Sequence, residues 1–252
     1  VQVKPFELVG SKKTVILFIH GFTASPSEIY PTAQLINEYT GWTVEGILLP
    51  GHGLTPQALN STSWEDWYGA VEYACKELLA VYQNVFVAGL SMGGLLSIYA
   101  GLKIPEINGV ISINAPIINK SSFKVALLPL ISKVKSCYPK NAGQREEELY
   151  RMGRFAYSCY PLKAFKSMLK FRDLVKNQIN NLNVPLLAVQ SQMDESVRVE
   201  SLKYIAAKIN KKWLTSLELP NSDHVATMGN DKELLAQRIV QFINKVLKEE
   251  EI

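Results

Sequence analysis

Apolar residues along this chain fall into short runs separated by segments with helical spacing. The runs "TVILFIH" (14–20), "TVEGILLP" (43–50), "NVFVAGL" (84–90), "GVISIN" (109–114), "PLLAVQS" (185–191) and "WLTSLEL" (213–219) are too short for helices and predict strands buried in a sheet. Between them lie helix starts. Ser25 as cap, Pro26 at the first helical position and Glu28 three residues after the cap predict a helix that ends near Gly41. Thr62 and Glu65 form a second pair of this kind, followed by Trp64, Trp67, Val71, Cys75, Leu78 and Tyr82 at helical spacing. Segments 92–102 and 199–209 read as helices. A last helix, capped by Asn230 with Glu233 after it, turns Leu235, Ile239, Phe242 and Val246 to one face. Strand alternating with helix predicts an α/β fold: a mostly parallel sheet covered by helices on both faces.

The alternation breaks between residues 117 and 180. This stretch shows no convincing strand and predicts three helices, around 121–135, 144–158 and 161–179. Charge marks the same boundaries. Residues 117–180 hold 13 Lys and Arg against 4 Asp and Glu, a net of +9, while the rest of the chain carries 14 against 19, a net of −5. The stretch is therefore expected to be a helical insertion between two strands of one sheet, with 1–116 and 181–252 forming the core. A length of 252 residues fits one large domain. No apolar run reaches the roughly 18–20 residues of a membrane span. The start "VQVKPFELVG" lacks the basic start and apolar stretch of a signal peptide, so a cytoplasmic location is expected. Cys75, Cys137 and Cys159 are odd in number, form no CxxC pair and have no histidine nearby. Neither a disulfide framework nor a metal site is expected.

Candidate chemistry centres on "GLSMG" (89–93), which matches G-x-S-x-G. A strand that reverses sharply into a helix strains its central residue, and the positions two away on each side must lack bulk. The pattern alone arises by chance in roughly one chain in ten of this length. Its context adds weight: an apolar strand runs directly into Ser91 and a helix follows. A serine nucleophile needs a base, and the base needs an acid to orient it. Of His20, His52 and His224, only His224 follows Ser91, beyond the last strand, as the order serine, acid, histidine requires. His20 and His52 are expected to fix loops by hydrogen bonding. The acid should follow strand 185–191, where Asp194 fits better than its neighbour Glu195. Asp223 adjoins His224, and adjacent side chains in an extended loop diverge. Backbone N–H groups of Met92, next to the serine, and of Phe22, in the loop after the first strand, are the expected oxyanion donors. The Phe22 side chain is read as a core aromatic or a wall of an acyl pocket.

With these residues in view, the chain resembles the α/β-hydrolases, and among them the bacterial carboxylesterases and monoacylglycerol lipases. The resemblance rests on "LFIHGFTASPSE" (17–28), "PGHG" (50–53), "VAGLSMGG" (87–94), "INAP" (113–116), "MDESV" (193–197) and "SDHVATM" (222–228), and covers nearly the whole chain. It implies a Ser91–His224–Asp194 triad, Phe22 and Met92 as oxyanion donors, and a small cap over the site where 117–180 lies. It also implies hydrolysis of short- to medium-chain esters, monoacylglycerols among them, through an acyl-enzyme and without cofactor or metal. Thioesters, aryl esters of the cinnamoyl type and amides are alternatives on the same residues, and a non-catalytic ligand-binding member of the fold is another. The expected partner is a small-molecule ester, for a monomer or homodimer. The basic segment suggests contact with anionic substrates or an anionic lipid surface. No motif supports nucleic-acid binding.

Overall fold

A computed structural model of the protein describes residues 3–118, 135–140 and 143–250. Seven strands form one sheet in the order β1-β3-β2-β4-β5-β8-β9. They are β1 (Phe6–Leu8), β2 (Ser11–Ile19), β3 (Trp42–Ile47), β4 (Asn84–Leu90), β5 (Gly109–Ile113), β8 (Leu186–Ser191) and β9 (Leu214–Leu219). Every pairing from β3 to β9 is parallel; β1 runs antiparallel to β3 at the edge. The six expected strands are all present. The three-residue β1 was not expected, being too short to show a period.

Apolar burial explains the two layers. One face of β2, β4 and β5 packs Leu17, Val87 and Val110 in one cluster with α2 (Pro56–Asn60), α3 (Trp64–Leu79), α4 (Met92–Lys103) and the helix Leu162–Gln178. The other face packs Phe18, Phe86 and Ile111 against α1 (Tyr30–Thr40) and the final helix Lys232–Glu250. Alternate residues of a strand thus serve opposite cores, which is why these strands read as continuous apolar runs. The left-handed Gly41 (φ 65°) closes α1 as expected.

Three helix starts differ from expectation. The final helix begins at Lys232, so Asp231 and not Asn230 stands directly before it. Ser25 does cap a helical turn, but a short 3-10 turn, Pro26–Glu28, and its hydroxyl accepts from Ser27 N–H. Glu28 does not complete a capping box. Its carboxylate turns inward and leaves the helix entirely. At α3 the box is made one residue later, by Ser63 and Asp66, with Ser63 N–H donating to Asp66 Oδ2 at 2.8 Å. The Thr62 hydroxyl is taken instead by the Trp67 indole N–H, at 2.9 Å.

The segment between β5 and β8 is only partly the helical unit expected. The helix placed around 121–135 falls, apart from Lys135, outside the described residues. Of the other two, one is shorter, Gln144–Arg151, ending before a left-handed Gly153 (φ 96°), and one is close to expectation, Leu162–Gln178. Two strands were missed: β6 (Cys137–Pro139) and β7 (Cys159–Pro161), the same tripeptide twice, paired antiparallel with Tyr138 opposite Tyr160. Three residues each, they carry no periodicity to read. Their pairing brings Cys137 and Cys159 into a disulfide across 22 residues, contrary to the expectation of no disulfide framework, while Cys75 stays free. Spacing along the chain could not show it, because the pairing depends on a ladder between distant tripeptides. Disulfides persist in oxidising compartments, and this one weighs against the cytoplasmic placement expected from the first ten residues. Among the described residues no helix is long and apolar enough to cross a membrane.

The segment is tied down from below. Asn60 donates to Ser136 O (2.8 Å) and accepts from the N–H groups of Lys163 and Ala164. The Trp64 ring stacks on Phe171 with centroids 5.1 Å apart. Closing a loop of this length by a disulfide contributes about 3 kcal/mol through chain entropy. Replacing both cysteines by serine, or adding reductant, is expected to lower Tm by several degrees. An unchanged melting curve in reductant would show that the bond contributes nothing to stability.

Candidate active site

The site forms where the parallel strands end. β4 delivers its chain straight into α4, and the residue at the corner, Ser91, has φ 57° and ψ −115°. Such a conformation costs a non-glycine residue about 1–3 kcal/mol. It is held by Ser91 N–H donating to Ile113 O of β5 at 2.8 Å and by the burial of α4 from Met92 to Gly101. The flanking glycines are sterically required, as the spacing predicts. A Cβ on Gly89 would lie 2.2 Å from the Gly93 carbonyl, and one on Gly93 would lie 2.2 Å from Ile19 O of β2.

Asp194 follows β8 and is fully buried. One carboxylate oxygen accepts the N–H groups of Ser196 and Val197, each at 2.8 Å. The other lies 2.7 Å from His224 Nδ1. His224 Nε2 lies 3.0 Å from Ser91 Oγ. An ionised carboxylate only accepts, so Nδ1 carries the proton and Nε2 of the neutral ring is left to accept from the serine hydroxyl. Burial alone pushes the Asp194 carboxyl up, but the His224 ring and the N–H donors of Val197 and Ser196 outweigh it and hold it below the usual carboxylate range. Burial alone pulls the His224 imidazole down; the charge and hydrogen bond of Asp194, with the field of Glu28, outweigh it and raise the pKa above the ordinary value. Asp223 points away, as expected of an adjacent residue: it accepts from Val225 N–H and pairs with Arg145.

The loop after β2 comes against this corner, where a Cβ on Gly21 would lie 3.3 Å from Ser91 Cβ. The Phe22 ring bridges core and insertion, 5.9 Å from Trp67 and 5.7 Å from Phe165, whose other neighbour is Tyr160 at 5.6 Å. Met92 is the first residue of α4, so its N–H has no acceptor within the helix. His20 and His52 fix loops, as expected. His20 donates from Nδ1 to Gly21 O (2.9 Å) and accepts at Nε2 from Leu49 N–H (3.2 Å); His52 donates from Nδ1 to Pro50 O. Burial lowers the pKa of both rings.

Three residues at the site escaped sequence reasoning. Asn114, at the end of β5 with φ 49°, accepts from Ser191 N–H (2.7 Å) and donates to Ser191 Oγ and His224 O, both at 2.9 Å. It ties β5, β8 and the histidine loop together. Its motif "INAP" is visible in the sequence, but nothing there shows what the amide touches. Glu28 and Arg154 form an ion pair at 2.9 Å, exposed by only 1% and 7%. Glu28 carried a local signal that pointed to capping; Arg154 carried none. Among the described residues, no group of three or more His, Cys, Asp or Glu side chains is placed to hold a metal ion.

Comparison with known proteins adds to this geometry. Residues 10–228 match the family model Hydrolase_4, described as serine aminopeptidase, S33. A carboxylesterase of Bacillus subtilis (strain 168) is 28% identical over 249 residues, 98% of each chain. A thermostable monoacylglycerol lipase of Bacillus sp. (strain H-257) is 29% identical over 234 residues, covering 91% of this chain and 90% of that one. A solved structure from work on LipS and LipT, two metagenome-derived lipolytic enzymes, has a TM-score of 0.86 and 30% identity, covering 96% of this chain and 98% of that one.

The contact at Gly93 supplies a stability test. Gly93→Ala must displace β2 or α4 and is expected to cost at least about 2–3 kcal/mol, read as a lower urea midpoint. An unaltered midpoint would mean that the corner is not sterically fixed.

Proposed function

The chain belongs to the Hydrolase_4 (serine aminopeptidase, S33) family of α/β-hydrolases, and from that premise we propose that it is a serine carboxylesterase acting through an acyl-enzyme on Ser91. The observation that carries the reading is the unbroken path from Asp194 through His224 to Ser91, with contacts of 2.7 and 3.0 Å. His224 Nε2 takes the hydroxyl proton as Ser91 Oγ attacks the ester carbonyl. Asp194 holds the ring in the required tautomer and stabilises the imidazolium. The tetrahedral oxyanion is bound by the N–H groups of Phe22 and Met92. His224 then returns the proton to the departing alcohol, leaving Ser91 acylated. A water molecule, deprotonated by the same ring, releases the acid.

The carboxylesterase and the monoacylglycerol lipase among the relatives support an ester over a peptide substrate. We take short- to medium-chain esters, monoacylglycerols included, as the substrate class, with Phe22, Phe165 and Tyr160 as apolar surface for the acyl chain. Residues 117–180 act as the cap between β5 and β8. Several of its cations are engaged: Arg154 with Glu28 and Glu146, Arg145 with Asp223 and Glu148, and Arg172 with Asp173. Among the described residues, Lys163, Lys166 and Lys170 lie exposed along one side of the helix Leu162–Gln178 and would serve contact with an anionic lipid surface.

Two outcomes are expected. Against p-nitrophenyl esters of increasing acyl length, Ser91→Ala should lose activity by several orders of magnitude. An active Ser91→Ala protein would refute the assignment, and a folded wild type that turns over no ester would favour a binding protein. The second concerns pH. The base must be neutral, and its pKa is raised, so kcat/KM should climb with pH through a limb above about 6.5, the ordinary histidine value, and vanish below it. A limb centred under 6 would contradict the coupling of His224 to Asp194.

A further inference from the structure

Glu28 is a buried carboxylate that the reaction steps above do not use, and it sits beside the loop that carries one oxyanion donor. Its Oε1 accepts Gly21 N–H at 2.6 Å, and its Oε2 accepts Arg154 Nε at 2.9 Å. Arg154 in turn donates from Nη1 to Glu146 Oε2 at 2.8 Å. The main chain of Glu28 reaches the other side of the site, because Thr227, three residues after His224, donates its hydroxyl to Glu28 O at 2.6 Å.

We propose that Glu28 is the positioning residue of the oxyanion loop, with Arg154 reaching from the insertion to hold it, so that the aim of Phe22 N–H depends on a pair that spans core and cap. The inference rests on the reading of Ser91 as nucleophile and deepens it.

The geometry works through the peptide planes on either side. Glu28 fixes Gly21 at its nitrogen. His20 Nδ1 fixes Gly21 at its carbonyl, and that carbonyl shares a rigid plane with Phe22 N–H, so anchoring the oxygen aims the N–H in the opposite direction. On the far side Thr23 has φ 68°, a costly conformation for a β-branched residue. It is held from the insertion: Tyr157 N–H donates to Thr23 O at 2.9 Å, and Lys140 Nζ donates to Thr23 Oγ1 at 2.6 Å. Phe155 N–H donates to Ser27 Oγ at 2.8 Å, and Ala24 pairs with Ala156. The loop from Gly21 to Glu28 is thus clamped along its length by Lys140, Arg154, Phe155, Ala156 and Tyr157. A neutral acceptor would satisfy Gly21 N–H. A carboxylate only 1% exposed needs a counter-charge, and that charge comes from the insertion. The donor is therefore in place only when the insertion is docked.

The charge of Glu28 also reaches His224. Among the described residues, the charged groups around that ring are Asp194 after β8, Glu28 in the 3-10 turn, Arg154 from the insertion, and the Asp223–Arg145 pair beside it. Glu28 favours the imidazolium and Arg154 opposes it.

The test measures kcat, KM and the pH–rate profile with p-nitrophenyl butyrate on the full chain, for Glu28→Ala, Glu28→Gln and Ser91→Ala. Glu28→Ala frees the Gly21 peptide and should lower kcat about a hundredfold with KM nearly unchanged. Glu28→Gln is isosteric, and its amide oxygen still accepts from Gly21, but its NH2 group cannot accept from Arg154, so it should recover only part of that loss and stay about tenfold below the wild type. It should also shift the acid limb of kcat/KM to lower pH, because the Glu28 charge that favours the imidazolium is gone while that of Arg154 remains. A kcat for Glu28→Ala within about threefold of the wild type, or a loss confined to KM, overturns the proposal. If Glu28→Ala does not fold, kcat of Glu28→Gln decides: a value within about threefold of the wild type overturns it. Ser91→Ala separates the two readings. If it stays active, the nucleophile assignment falls; if it is inactive while Glu28→Ala is fully active, only this inference falls.

Discussion

The backbone turn at Ser91 is the constraint on which the site depends. A parallel strand must pass into a helix within one residue, and steric exclusion then dictates the neighbourhood. Gly89 and Gly93 have to be bare because each lies against a backbone carbonyl, of Gly93 and of Ile19 respectively. The strain at Ser91 persists because β4 is hydrogen-bonded on both sides and α4 is buried along most of its length. Parallel order then does the rest. The loops after β2, β4, β5, β8 and β9 all leave the same edge of the sheet, so Gly21, Ser91, Asn114, Asp194 and His224 meet although nearly the whole chain separates them.

Electrostatics joins the insertion to this frame. A net charge of +9 over 117–180 against −5 elsewhere suggests a solvated basic face, and part of it is one. Other cations face inward. Arg154 meets a carboxylate buried under the 3-10 turn, and Arg145 meets Asp223 next to His224. A buried ion pair contributes little net stability, because desolvation offsets most of the attraction. What it supplies is location: Arg154 has one place to go. The β6–β7 ladder and its disulfide constrain the same unit from its other end, so the insertion that carries Phe165 and Tyr160 to the site is held in register by bonds of different kinds.

Much of the fold was legible because its signals are local. Six apolar runs became six strands; β2, β4, β5 and β8 are buried on both faces, and such a strand cannot hide its composition. The order Ser91, Asp194, His224 followed from strand ends and from a chain with only three histidines. His20 and His52 behaved as loop-fixing residues for the same reason. Reading failed where two local rules competed. Thr62 and Ser63 both suit a cap, and the Trp67 indole, a tertiary contact, removed Thr62 from the choice. Glu28 fits a capping box by spacing, but a buried guanidinium 126 residues away competes for the carboxylate.

The sequence by itself determined the α/β alternation, the corner at Ser91 and the residues available to serve it, because period, turn chemistry and residue order act over a few neighbours. Only the tertiary structure decided the Cys137–Cys159 bond, the tie made by Asn114 and the partners of Glu28. The Cys137–Cys159 bond follows from the β6–β7 ladder; the contacts of Asn114 and Glu28 are fixed by which loops the sheet brings to one edge. Their energy comes from satisfying buried polar groups at close range, and that depends on the packed structure and leaves no periodic trace along the chain.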